Sequence, residues 1–129
     1  MHDVNRCALV VEDELLVAMV ASDALAELGF RSLEASSAAK ALELAEQNKS
    51  EIVLALVDLG LPDLPGEQLV SELRARYPRL PIIVASGRGV GDIDAGLRAL
   101  QNMTILPKPY DFEELRRAVA HLDPSPPQA

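Results

Sequence analysis

Short apolar runs alternate with longer helix-patterned stretches five times along the chain, and few architectures can absorb that order. The runs cover residues 8–11, 31–35, 52–57, 81–85 and 104–106. The third is continuous and β-branched at Ile52, Val53 and Val57, which predicts a strand buried on both faces, and the fourth reads the same way. The second alternates polar and apolar residues, as an edge strand does. Between them, Leu16, Val20, Ala24 and Leu28 recur every four residues with Ser22, Asp23 and Glu27 turned away, and Gly29 supplies a left-handed stop. Ser36 and Ser37 can cap an Ala/Leu-rich helix running to about Gln47. Pro65 suits the first turn of a third helix striped by Leu69, Leu73 and Tyr77. A fourth helix over residues 92–100 is the least stable, because glycines sit in and beside it and each interior Gly costs about 0.5–1 kcal/mol relative to Ala. Asp111 and Glu114 read as a capping pair for a last helix carrying Phe112, Leu115, Val119 and Leu122.

Five strands alternating with five helices imply a parallel sheet covered on both faces by right-handed crossovers. The 129 residues allow one such domain, here residues 6–122, flanked by an N-terminal extension (1–5) and a loose Pro-rich tail (123–129). Sheets of this kind take ligands at the carboxyl ends of their strands. Strand one ends in Glu12 and Asp13, strand three in Asp58, strand four in Ser86 and strand five in Lys108. Any one of these has an ordinary structural reading: an acid can cap a helix, a serine can close a turn, and a lysine is usually a solvated charge. Four strands delivering such groups to one rim make a site for a phosphorylated carboxylate.

Three converging carboxylates repel by about 3 kcal/mol per pair at roughly 5 Å and an effective dielectric near 20. They call for a cation, and an oxygen-only donor set suits Mg²⁺ or Mn²⁺. Zinc is a poor fit, since His2, Cys7 and His121 show no ligand spacing. Beside such an ion, Lys108 can pair with a phosphate oxygen and Ser86 can donate to another. The net charge of −8 argues against a nucleic-acid backbone as partner, and four Phe and Tyr rings are too few for a base-stacking platform. The longest apolar runs fall far short of the ~20 residues of a membrane helix, so no membrane insertion is expected, and residues 1–12 lack the pattern of a signal peptide. A lone Cys7 forms no internal disulfide, which fits a cytoplasmic location.

In order and spacing, Leu9-Val10-Val11-Glu12-Asp13-Glu14, Val57-Asp58-Leu59-Gly60-Leu61-Pro62-Asp63 through Gly66, Val84-Ala85-Ser86-Gly87 and Lys108-Pro109-Tyr110 resemble the response-regulator receiver domain of two-component signalling. The resemblance spans about Arg6 to Leu122. It implies a flavodoxin-like doubly wound sheet of order 2-1-3-4-5. It further implies that Asp58 is the phosphoacceptor and that Asp13, Asp58 and the Gly60 carbonyl contact Mg²⁺, with Glu12 acting through water. Ser86 becomes the switch hydroxyl, Lys108 the phosphate-binding lysine, and Pro109 a proline that often follows that lysine in the cis form. The implied donor is a histidine kinase or phosphotransfer protein, and the implied output is altered binding of a downstream protein. Transfer and hydrolysis would be self-catalysed, without a metabolic enzyme activity.

The switch region departs from the family pattern. Many receivers carry an aromatic three residues before the lysine; Ile105 stands there, and Tyr110 lies on the wrong side of Lys108 to replace it. Gly87 takes the place of a common alanine. The run Gly87-Arg88-Gly89-Val90-Gly91 resembles a single-domain subgroup in alphaproteobacteria with a flexible fourth helix, although Ser86 and Arg88 depart from its motif. The glycine run lacks the spacing of a dinucleotide fingerprint and the lysine of a P-loop, so it reads as a mobile switch loop and not as a nucleotide cradle. Two other functions compete: a phosphorylation-independent interaction module of the same fold, against which the complete set of polar residues argues, and a phosphohydrolase, which would need an acid where Gly60 stands. With no DNA-binding segment after Leu122, the chain reads as a single-domain regulator, a phosphate shuttle or sink, or a receiver from a longer protein.

Overall fold

A computed structural model describes residues 6–87, 96 and 101–122. Five strands, β1 (Cys7–Val11), β2 (Arg31–Ala35), β3 (Ile52–Asp58), β4 (Ile82–Ser86) and β5 (Met103–Pro107), form one parallel sheet in the order β2-β1-β3-β4-β5. Four helices are described: α1 (Leu15–Glu27), α2 (Ala38–Gln47), α3 (Gly66–Arg76) and α4 (Phe112–Leu122). Apart from residue 96, the expected helix over residues 92–100 lies outside the described residues, as do Arg88, Gly89 and Gly91 before it.

Strand residues alternate between two cores. Leu9, Val11, Val57 and Val84 pack with Ala41, Leu69 and Leu73 of α2 and α3. Val10, Leu54, Leu56 and Ile83 pack with Ala21 and Leu25 of α1 and Leu115 and Val119 of α4. The expected burial of β3 and β4 on both faces is observed, and β2 is a partly exposed edge. Strand ends differ from the sequence reading by one residue or so: β1 and β5 start earlier, and β4 takes in Ser86.

The stripe expected for α1 is corrected. Leu16 and Val20 are 75% and 65% exposed, Ala24 and Leu28 are half-buried, and the buried face is Ala18, Ala21 and Leu25. Positions four apart drift by about 40° per step around a 3.6-residue helix, so such a stripe winds across more than one face. Ala21 and Leu25 pack into the core on this face of the sheet, and Ala18 is buried on the same side of the helix. Ser22, expected to face away, is half-buried and donates to Glu34 of β2 at 2.7 Å.

The ends of the helices follow their caps. Gly29 has φ 97° after α1. Ser37 accepts the Lys40 N–H at the start of α2, and Asp111 and Glu114 exchange the reciprocal pair of bonds expected for α4. Gly66 opens α3 against the backbone of β3: a Cβ there would lie 2.4 Å from Leu59 Cα and 2.8 Å from the Asp58 carbonyl oxygen. At the amino ends of β4 and β5, the Arg74 guanidinium donates to the carbonyls of Tyr77, Pro78, Gln101 and Asn102, tying the end of α3 to the approach to β5.

Candidate functional site

Sheet register brings the rim residues together. Val11 pairs with Val57, Asp58 with Ala85, and Ser86 with Pro107, so Glu12, Asp58, Ser86 and Lys108 leave neighbouring strands at nearly one level. Two backbone bonds carry the ladders one step further: Glu12 N–H donates to Ala35, and Lys108 N–H to Ser86.

Asp58 is buried at the end of β3. Its Oδ2 accepts the Gly60 N–H at 3.1 Å, and its Oδ1 lies 3.1 Å from Lys108 Nζ. The same ammonium is 3.4 Å from Glu12 Oε1, while Glu12 Oε2 accepts the Glu14 N–H at 3.1 Å. Asp13 is exposed at the mouth. One carboxylate oxygen from each of Glu12, Asp13 and Asp58 lies within 4.8 Å of the others. Burial pushes the Glu12 carboxyl above its ordinary range; the Glu14 N–H opposes this and the Asp58 charge reinforces it. Burial pulls the Lys108 ammonium down, but its hydrogen bond and attraction to Asp58, with a further contribution from Glu12, leave it raised. Glu12 and Asp58 thus share the Lys108 ammonium while Asp13 brings a third negative charge beside them, and a hard divalent ion fits the remaining demand for positive charge and the oxygen-only donor set. Glu12, Asp13 and Asp58 are the side chains that could hold it.

The remaining predicted residues surround this centre. Ser86 is buried at the end of β4. Gly87 is exposed, with open space where a Cβ would stand. Ile105 is partly buried against the α2–α3 core, an aliphatic side chain at the expected aromatic position. The Lys108–Pro109 peptide is cis. Tyr110 is half-buried against the other core; burial raises its phenol, and the Glu12 charge adds to the effect.

Three features escaped the sequence reading. Asp63, read there only as part of a turn, accepts the N–H groups of both Ala38 and Ala39, at 2.9 and 3.1 Å, at the start of α2. Its partners lie 25 and 24 residues earlier, beyond the reach of any local pattern. Gly66 was part of a matched segment, but its contact with Asp58 and Leu59 depends on where α3 docks. Finally, Leu15, Leu16, Met19 and Val20 form an exposed apolar face on α1 beside Asp13. Below it, a cleft of about 390 Å³ is lined by Glu12, Asp13, Leu15, Glu34, Ser36 and Lys40.

Comparison with known proteins places these features in a wider set. The family model for the response regulator receiver domain matches residues 8–120. The sensor kinase CckA of Brucella abortus (strain 2308) is 32% identical over 118 residues, covering 92% of this chain and 12% of that protein. The DNA-binding transcriptional regulator NtrC of Escherichia coli (strain K12) is 30% identical over 118 residues, covering 87% of this chain and 24% of that protein. This chain therefore spans a quarter or less of the length of either relative. The crystal structure of the receiver domain from the hybrid histidine kinase CckA superposes with a TM-score of 0.75 at 31% identity, covering 90% of this chain and 97% of that one.

Proposed function

The chain belongs to the response regulator receiver domain family, and from that premise we propose that Asp58 takes a phosphoryl group from a histidine kinase or phosphotransfer protein in two-component signalling. The observation that carries this reading is the setting of Asp58, a buried carboxylate at a strand end, flanked by the Lys108 ammonium and two further acids.

An Asp58 oxygen attacks the phosphorus of the donor's phosphoramidate; the P–O bond forms as the P–N bond breaks, and the imidazole keeps the electron pair and takes a proton. Lys108 exchanges its contact with Asp58 Oδ1 for a phosphoryl oxygen, and the Ser86 hydroxyl donates to another. Asp13 and Asp58, together with the Gly60 carbonyl, would hold Mg²⁺, or Mn²⁺ in its place, and Glu12 would act on it through water. Bound there, the ion supplies neutralisation of the charge that develops on the phosphoryl oxygens. Hydrolysis reverses the modification: water attacks phosphorus, the bond to Asp58 breaks, and inorganic phosphate leaves. This chemistry is the protein's own and turns over no separate metabolite.

The phosphoryl donor docks on the apolar face of α1. Leu15, Leu16, Met19 and Val20 begin two residues after Asp13, and Leu15 lines the same cleft as Glu12 and Asp13, so a donor helix seated there brings its histidine over Asp58. Output passes through the segment that follows β4, beginning with Gly87 and Arg88, and through β5 and the residues after it, with Ile105, Pro109 and Tyr110 as the further switch residues.

Intact mass after incubation with acetyl phosphate and Mg²⁺ tests the central step. Wild type gains one phosphoryl mass and Asp58→Asn gains none. A wild type that stays unmodified with every donor would instead support a phosphorylation-independent interaction module.

A further inference from the structure

Gly60 is expected to present a backbone carbonyl to the metal, yet a glycine does little to fix its own carbonyl, since it lacks the Cβ that restricts φ and ψ. Something outside the residue must hold the loop from Leu59 to Pro65. One end is held at β3: Gly60 N–H donates to Asp58 Oδ2, Gly66 N–H donates to the Leu59 carbonyl, and Gly66 packs against the Asp58 and Leu59 backbone. The far side of the loop is held by Asp63, whose two carboxylate oxygens each take an N–H from the first turn of α2. Leu61 and Leu64, on either side of this contact, pack against the core.

We propose that Asp63 is a positioning residue for the phosphoacceptor site, fastening the Leu59–Pro65 loop to the start of α2 so that the Gly60 carbonyl stays aimed at the cation position. The proposal rests on the reading of Asp58 and Gly60 as metal ligands. It separates Asp63 from an ordinary helix cap, because Ser37 already caps α2 locally by accepting the Lys40 N–H. Both residues support the same helix, and the hydrogen bonds of Asp63 join it to the segment that follows Asp58.

Mn²⁺ binding, followed by the loss of the free-ion electron paramagnetic resonance signal, tests this on the full chain. Wild type binds one Mn²⁺ and Asp58→Asn binds it much more weakly. Asp63→Ala weakens binding roughly tenfold, as loss of an outer-shell partner does. Asp63→Asn, whose amide can accept only one of the two bonds, falls between, and Ser37→Ala matches wild type. Should Asp63→Ala fail to fold, the Asp63→Asn comparison decides. Unchanged Mn²⁺ affinity in the folded Asp63 variants, or an equal loss in Ser37→Ala, would overturn the positioning role while leaving the metal site intact. Absence of binding by wild type would overturn the metal reading itself, and the positioning role with it.

Discussion

Lys108 Nζ stands 3.1 Å from Asp58 Oδ1, linking the residue after β5 to the last residue of β3 across a central strand. The contact holds two partly desolvated charges that each need the other. Replacing Lys108 with Met leaves Asp58 and Glu12 facing one another without their shared cation. Truncating a fully buried pair costs ~3–5 kcal/mol; Lys108 retains some water, so about 1–3 kcal/mol is expected here. A divalent ion replaces part of the lost charge, so added Mg²⁺ raises the urea midpoint more in Lys108→Met than in wild type. Equal stability of the two proteins in chelator would refute the pairing argument.

The exposed face of α1 gives a prediction of the opposite kind. Leu16 and Val20 contribute little to the core, so Leu16→Ser and Val20→Ser shift folding stability by no more than about 0.5 kcal/mol. Acetyl phosphate modifies both variants at the wild-type rate, because the small donor needs no docking surface. Transfer from a phosphorylated histidine protein slows by roughly tenfold for the double variant, the effect of losing one or two apolar anchors worth ~1–2 kcal/mol. Equal transfer rates from the protein donor would place docking elsewhere.

That exposed face also marks how far the primary structure could be read. The strands were legible because burial on both faces demands runs such as Ile52–Val53–Leu54, and the rim residues were legible because each ends such a run. On α1, nearly every position is apolar or small, so periodicity could not separate Ala18, Ala21 and Leu25 from Leu16 and Val20. The packing of Ala21 and Leu25 against the strands decided the face. The tether from Asp63 to α2 and the wedge of Gly66 against Leu59 are tertiary contacts, and no local spacing signals either.

Gly66→Ala tests the wedge. The added methyl group would meet Leu59 Cα at 2.4 Å, and a backbone atom cannot swing aside as a side-chain tip can. Relief requires α3 and the Asp58–Leu59 segment to separate, at a cost of about 1–3 kcal/mol for overpacking. Urea denaturation should show that loss, and acetyl phosphate should label Asp58 more slowly because its backbone moves with Leu59. A variant within about 0.5 kcal/mol of wild type would show that α3 docks less tightly than this geometry requires.

Asp63 makes acid sensitivity a further test of its contact with α2. The N–H groups of Ala38 and Ala39 hold its carboxyl below the usual aspartate range, so the folded state favours the ionised form. For a carboxyl with a depressed folded-state pKa, the stabilisation is fully present above the unfolded-state value and is lost as pH falls through the folded-state value. Wild type should therefore exceed Asp63→Ala in urea midpoint at neutral pH, and the gap should close as pH falls below the ordinary aspartate range and through the depressed folded-state value. Glu113, held down to about 2 by Arg116 and to a lesser degree by Arg117, titrates in both proteins and cancels from the difference. A gap that stayed constant from neutral to acid pH would mean that the ionised carboxylate of Asp63 does not hold α2.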